Sequence, residues 1–329
     1  MIAATGLWED ARGLADALQA GLDAADGHAE LAALLAGARR VVATGNGASY
    51  YAALALWLAA LHRPVAGAPE VVALPGGLVA RGRFAWRDGD VLLAFSSSGE
   101  FRDVIEALET APRPFGLVSA SPDSTLGRAA GALARTVVTR QASATHTQGY
   151  AGAVLAALAV WARVTGDASL ARAVAAAPEL AGRALDGAVG WAQGLAPVSD
   201  LRAAVAFGSG PGWAAALEAA LLVKEVALVP CEGVETREGA TTAMYALGPG
   251  QLAIGVPAGG ADALLDEAEA VCRGRGAAVR RLPDPGGDPR LAAVTTFPAA
   301  LAHAIALAQA GGIDPDDPPW KAAYEATAR

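Results

Sequence analysis

Short apolar runs that close on glycine, serine or threonine alternate along this chain with longer, alanine-rich stretches whose apolar residues recur at helical spacing. In the first half the pattern predicts strands at Arg40 to Ala43, Glu70 to Leu74, Asp90 to Phe95, Pro114 to Ser119 and Thr136 to Thr139. Between and around them it predicts helices at Trp8 to Leu35 (broken at Gly27), Tyr50 to Leu61, Glu100 to Thr110 and Ala144 to Val164. The second half reads the same way. A helix at Ala168 to Gln193, interrupted at Pro178, precedes strands at Leu201 to Phe207, Gln251 to Val256, Ala277 to Leu282 and Ala293 to Phe297. Helices fall at Trp213 to Ala227, Ala261 to Arg273 and Pro298 to Ala310. Buried strands alternating with helices specify parallel sheets covered on both faces.

The pattern is a repeat. Gly45-Asn46-Gly47-Ala48-Ser49-Tyr50, between a strand and an alanine-rich helix, recurs 163 residues on as Gly208-Ser209-Gly210-Pro211-Gly212-Trp213. The fold class is therefore α/β, with two tandem units, each a parallel sheet flanked by helices in a three-layer α/β/α sandwich. The predicted domains are N-terminal helices over 1–38, a first unit over 39–166, a second over 167–310 and a tail over 311–329.

Composition narrows the classes. Of 329 residues, 53% are hydrophobic and 18% charged, which supplies a large core and argues against disorder. A net charge of −8 weighs against sequence-independent nucleic-acid binding. Cys231 and Cys272 have no metal-binding spacing and make no disulfide framework, so no metal is expected. Apolar runs such as Ala151 to Ala162 are too short to span a bilayer, and Met1 to Asp10 has no secretory pattern. The expectation is a soluble cytoplasmic protein that binds neither nucleic acid nor membrane.

The candidate chemistry begins at Val91-Leu92-Leu93-Ala94-Phe95-Ser96-Ser97-Ser98-Gly99-Glu100. A buried strand there delivers three serines and a glycine to a helix start, a setting that favours an anion and above all a phosphate. The corresponding stretch of the second half, Val256-Pro257-Ala258-Gly259-Gly260, has no hydroxyls, so one anion loop per chain is expected. Gly45 and Gly47 allow a tight turn beside a ligand, and Ser49 adds a hydroxyl at the same sheet edge. The dinucleotide fingerprint is incomplete: Tyr50 stands where a third glycine belongs and Glu70 begins its strand instead of ending it. No cofactor is expected.

These motifs resemble those of the double-SIS (sugar isomerase) family, which includes the isomerase half of glucosamine-6-phosphate synthase and related phosphosugar isomerases and deglycases. The resemblance covers about 29–329. It rests on the turn Gly45 to Tyr50, the Ser-x-Ser-Gly-Glu loop Ser96 to Glu100, and the helix motif Ala216-Leu217-Glu218 to Lys224-Glu225. It implies that Gly47, Ser49, Ser96, Ser97 and Ser98 hold a substrate phosphate, with Thr145 contacting the sugar. Glu225 takes the place of the family's catalytic base, which moves a proton between C1 and C2. The family's hydroxyl after the loop glutamate is Phe101 here, with Arg102 a candidate substitute for it. The family's ring-opening histidine is replaced by Thr241 or, allowing a three-residue deletion, by Glu238. His146, beside Thr145, is a candidate for that task, and Lys321 for the lysine that closes over the substrate.

The resemblance thus implies an aldose–ketose (amino)sugar phosphate isomerase, or a deglycase or deaminase, working through an enediol or enamine and lacking a glutaminase domain. It also implies a homodimer with its site at the subunit interface. The alternatives are a sugar-phosphate sensor without turnover and an offshoot acting on a non-phosphate anionic sugar.

Overall fold

The computed structural model describes residues 1–198 and 200–328. Three helices open the chain: α1 (Gly6–Arg12), α2 (Leu14–Asp23) and α3 (Ala25–Ala36). Thr5 caps the first, its hydroxyl accepting from the Trp8 N–H at 3.2 Å. The break expected at Gly27 falls instead at Ala24, and Gly27 lies within α3. A Cβ there would sit 2.3 Å from the Leu133 carbonyl oxygen, so close packing on a strand backbone is what requires this glycine.

There follow β1 (Arg40–Gly45), α4 (Ala48–His62), β2 (Glu70–Pro75), α5 (Gly76–Val79), β3 (Asp90–Phe95) and α6 (Arg102–Ala107). Next come β4 (Gly116–Ser119), α7 (Thr125–Ala129), β5 (Ala132–Arg135), α8 (Gln148–Thr165) and α9 (Ala168–Gln193). The plan restarts with β6 (Ala203–Gly208), α10 (Gly212–Ala227), β7 (Cys231–Glu235), α11 (Thr236–Gly239), β8 (Gln251–Gly255) and α12 (Ala263–Gly274). The chain finishes with β9 (Ala278–Arg281), α13 (Ala292–Thr295), α14 (Phe297–Ala310) and α15 (Lys321–Ala328).

Both sheets are parallel, ordered β2-β1-β3-β4-β5 and β7-β6-β8-β9. The second repeats the order of the first four strands of the first. β1 and β6 begin at Arg40 and Ala203 and end at Gly45 and Gly208, keeping the offset of the sequence repeat. The turn geometry is copied too: Gly47 has φ 54° and Gly210 has φ 52°, a left-handed backbone that favours glycine.

Several elements differ from the sequence expectation. The fifth strand is Ala132–Arg135 rather than Thr136 to Thr139; it pairs with Gly116–Ser119, and only the Thr136 N–H continues the ladder, to the Ser119 carbonyl. The threonines have strand propensity without a strand partner. Ala293 to Phe297 forms no strand: it runs from α13 through Thr296 into the start of α14, with the Thr295 and Thr296 hydroxyls donating to the Leu291 and Ala292 carbonyls. Pro178 stays inside α9 without ending it. α8 starts at Gln148, leaving Ala144 to Thr147 non-helical. The helical stretch Pro289–Ala310 is, against expectation, long and apolar enough to cross a bilayer, but 94% of its most apolar window is buried in the protein, the pattern of a core helix.

The chain forms two compact units. The first holds the five-stranded sheet and comprises Asp16–Arg140, Gln148–Ala176 and the chain from Ala322. Its core joins Val42, Leu92, Ala94 and Leu117 from the strands, and Phe115 just before β4, to Val104 and Ala107 of α6. The second holds the four-stranded sheet and comprises Met1–Ala15, Gln141–Thr147 and Ala177–Lys321. Its core joins Val205, Phe207 and Ala253 to Leu265 and Cys272 of α12. Each fully buried Leu or Phe of this kind contributes roughly 1.5–3 kcal/mol of transfer free energy.

Candidate functional site

In the first unit, β1 and β3 lie side by side while the chain leaves them toward opposite edges of the sheet. Their carboxyl ends make the crevice where open α/β sheets receive ligands. The serine loop follows β3. Ser96 is buried, and its hydroxyl accepts from the Gly99 N–H at 3.1 Å; the exposed Ser98 accepts from the Glu100 N–H at 3.2 Å. Accepting those bonds leaves both hydroxyl protons free to be donated. The Ser97 hydroxyl has no partner among the described residues, while the Ser97 carbonyl is held by the Ser119 hydroxyl at 3.2 Å and the Ser121 hydroxyl at 3.0 Å. The loop backbone is thus fixed, and its side chains are left to bind.

Gly99 is essential to that shape. Its φ is 66°, and a Cβ would fall 1.9 Å from the Ser124 hydroxyl oxygen. Glu100 accepts from the Thr125 N–H at 2.7 Å, and this bond holds its carboxyl below the usual range. Glu100 therefore ties the loop to the start of α7. Phe101 packs on the core of the unit, so the residue standing where the family has a hydroxyl serves to press the loop down. Arg102 extends along α6, 4.0 Å from Glu106, and shows no bond to the serines. α6 has six residues and begins at Arg102, shorter than the sequence suggested, so the helix dipole contributes little and the hydroxyls carry the anion reading.

The glycine turn lies on the neighbouring strand. Gly47 caps α4 with a left-handed φ, and Ser49 is half-buried within the first turn. Asn46 is a residue the sequence reading passed over. Its amide nitrogen donates to Asp103 at 3.1 Å and its oxygen accepts from the Gly76 N–H at 3.1 Å, joining the ends of β1 and β2 to α6. An asparagine between two turn glycines was the only signal for it.

In the second unit the candidate carboxylates sit on α10. Glu218 and Glu225 are seven residues apart, two helical turns, and so share one face. Glu225 is half-buried. Burial pushes its carboxyl up to about 7, against the Thr145 hydroxyl, which donates to the carboxylate, and against the charge of Lys224. A carboxyl near neutrality exchanges protons readily at physiological pH. Glu218 is 3% exposed and its Oε2 has no hydrogen-bond partner. Burial, then the neighbouring charge of Glu225, raises its carboxyl well above the usual range, so burial favours its protonated form. The sequence marked Glu218 only as part of a motif; its spacing from Glu225 on an apolar helix was the readable sign of a coupled pair.

Thr145 is buried, and its carbonyl accepts from the Gln141 side chain at 3.0 Å. His146 follows it in the same non-helical segment and is exposed; surrounding protein lowers its imidazole pKa by desolvation, which keeps the ring neutral at pH 7. Thr145 is therefore joined to Glu225 directly, and His146 is one residue away along the chain.

Glu238 is placed differently. It is exposed in α11, which follows the carboxyl end of β7, whereas Glu225 lies in the last turn of α10, after the helix has returned along the sheet. The unit does not bring these two carboxylates together. The short helix is capped by Glu235, which accepts from the Arg237 and Glu238 N–H groups at 2.7 and 3.0 Å. Lys321 is exposed, and its backbone N–H donates to the Pro318 carbonyl at 3.2 Å. The residue before it, Trp320, donates its indole N–H to the Glu225 carbonyl at 2.7 Å, so the tail is anchored at the candidate base. Cys231 is buried with its thiol pushed up to about 12 by burial, which makes it packing and not a nucleophile. Among the described residues no group of three or more His, Cys, Asp or Glu side chains is arranged to hold a metal.

No family model matches the sequence, and neither does any curated protein. Solved structures do. The C-terminal domain of glucosamine-fructose-6-phosphate aminotransferase from Francisella tularensis superposes with a TM-score of 0.82 at 18% identity, over 95% of this chain and 98% of that one. The tagatose-6-phosphate ketose/aldose isomerase of Escherichia coli gives 0.73 at 18% identity, covering 95% of each chain. The glucosamine-6-phosphate deaminase of Thermotoga maritima gives 0.71 at 20% identity, over 91% of this chain and 97% of that one. At these identities the likeness establishes the fold alone: the chain has the two-sheet α/β fold of these structures.

Proposed function

We propose that this protein is a phosphosugar enzyme of the isomerase type, with Glu225 as the proton-transferring base and the loop Ser96 to Ser98 as the ligand for the sugar's anion. The observation that carries the reading is the Glu225 carboxyl, held near pH 7 by burial and hydrogen-bonded by the Thr145 hydroxyl. An aldose–ketose isomerisation needs one such group. The carboxylate takes the proton from the carbon beside the carbonyl of the open-chain sugar, leaving an enediol, and returns it to the neighbouring carbon. An aminosugar follows the same course through an enamine. The solved structures with this fold include an isomerase and a deaminase by name, which supports the class of reaction without choosing within it.

The residues divide by role. Ser49, Ser96, Ser97 and Ser98, with the turn at Gly47, are assigned to the anion. Thr145 is assigned to orienting Glu225, and His146 to proton movement at the ring oxygen. Lys321 is assigned to substrate closure, because Trp320 fixes the tail at Glu225. Glu238, exposed and apart from Glu225 within its own unit, is retained only as a group that a second subunit of a homodimer receives.

The test is deuterium exchange. In D2O the wild type is expected to wash deuterium into the carbon adjacent to the carbonyl of fructose 6-phosphate, glucosamine 6-phosphate or tagatose 6-phosphate, read by NMR, and Glu225→Gln to abolish it. Exchange at the wild-type rate in Glu225→Gln overturns the assignment. The packing of Phe101 where the family has a hydroxyl favours a second reading, an anion other than phosphate or binding without turnover. A sugar phosphate that raises the melting temperature but is recovered undeuterated supports binding alone. A rise with sulfonate or carboxylate sugars alone supports the other anion.

A further inference from the structure

Away from these residues, the second unit contains two cavities, of about 510 and 570 Å3, within the range of small-molecule sites. Both are lined by Leu195, Pro197, Val198 and Arg280, and neither by Glu218, Glu225, Thr145 or His146. Arg280, on β9, is half-buried where they meet. Its guanidinium donates to the Ala196 carbonyl and lies 2.8 Å from Nε2 of His303. His303 is buried, stacked edge-on to Trp191 at 5.8 Å, and held neutral by burial and by Arg280 itself, its pKa pushed down to about 3. Both partners of Arg280 are thus neutral, and no carboxylate pairs with it among the described residues. Asp200 lines the larger cavity but makes no ion pair with Arg280.

A half-buried guanidinium without a counter-charge presents an unmatched positive charge that an anion can meet. Of its five N–H donors, at least three remain for a ligand after the two bonds above. Among the described residues Arg280 is the one cation lining the cavities, and in the smaller of them no acidic side chain stands beside it, so one negative charge is what it can match there. The walls are otherwise mainly aliphatic: Ala192, Leu201, Val229, Ala306 and Leu307 line the larger cavity.

We propose that these adjoining cavities form a second ligand site, which takes a small monocarboxylate with an aliphatic body, the carboxylate on the Arg280 guanidinium and the chain against the walls around Ala306. The planar fork of arginine suits a carboxylate in two-point contact. This site is independent of the sugar-phosphate reading and makes the protein responsive to an organic acid.

The test uses the full chain and hexanoate as the probe, read by thermal denaturation. Hexanoate at millimolar concentration is expected to raise the melting temperature of the wild type by at least 2 °C, about 0.5–1 kcal/mol for a unit of this size. Hexylamine and inorganic phosphate at the same concentration are expected to leave it unchanged. Arg280→Met is expected to lose the hexanoate response and Glu225→Gln to keep it. Ala306→Trp, which fills the larger cavity and leaves Arg280 in place, is expected to lose it too and decides the matter if Arg280→Met fails to fold. No response in the wild type overturns the proposal, as does a full response in either cavity variant or an equal response to inorganic phosphate.

Discussion

The indole N–H of Trp320 donates to the main-chain carbonyl of Glu225 at 2.7 Å. That carbonyl belongs to the last turn of α10, where helix carbonyls lack partners within the helix. The tail therefore completes the end of the helix that carries the candidate base. Trp320→Phe removes the donor and keeps the ring. The lost bond is worth about 1 kcal/mol, so the expected outcome is a melting temperature lower by a few degrees and a fall in kcat/KM, with Lys321→Met lowering kcat/KM at unchanged stability. Unchanged kinetics in both variants would remove the tail from the site.

Glu225 makes opposite demands on activity and stability. Its folded carboxyl titrates at about 7 against 4.5 when unfolded, so the native state prefers the protonated form. The stability it contributes is complete below pH 4.5 and is lost as pH rises through 7, by an amount on the order of 3 kcal/mol. Catalysis needs the ionised form. kcat/KM is expected to rise with pH through about 7 while the melting temperature declines over the same range. Glu225→Gln is expected to flatten the decline and to cost 10²-fold or more in rate, on the order of what general base catalysis supplies.

His28 imposes a different pH limit. It is 1% exposed in α3, and neither ring nitrogen has a hydrogen-bond partner. Burial, with the charge of Arg163 second, pushes its pKa down to about 4 from 6.5. The neutral ring is the folded form, so this contribution is complete above pH 6.5 and lost as pH falls toward 4. Acid titration of the melting temperature is expected to show the fall. His28→Leu, which also removes two unpaired buried nitrogens, is expected to abolish that slope and raise stability at pH 5.

Gly99→Ala tests the serine loop. The new Cβ would meet Ser124 at 1.9 Å and force a side chain into a φ of 66°. The expected cost is about 2 kcal/mol, from strain and overpacking together. The same variant is expected to lose the thermal response to sugar phosphates that Ser97→Ala and Ser98→Ala only weaken. A fully retained response would mean that the loop does not hold the anion.

The sheets, the repeat and the serine loop were legible because each is local: a short apolar run, a glycine turn and a following helix are all written within some twenty residues. β7 was not, because Glu232, Gly233 and Glu235 lack a strand's apolar pattern; it is an edge strand held by backbone pairing with β6. The strand expected at Thr136 to Thr139 failed for the converse reason, strand-forming residues without a partner. At the candidate site, Glu225 was legible from its motif, whereas the raised carboxyl of Glu218 and the anchor at Trp320 depend on what surrounds them. Arg280 could not be singled out in advance, since nothing in the sequence says that its partners are uncharged.

Residues Gln141–Thr147 lie in the chain between β5 and α8 of the first unit, yet they belong to the second. They carry Thr145, the donor to Glu225. The two copies of the repeat are therefore not separable modules. A fragment started at the seam near Gly166 would carry the glutamate without the hydroxyl that orients it, and a fragment ended there would carry the hydroxyl with nothing to orient.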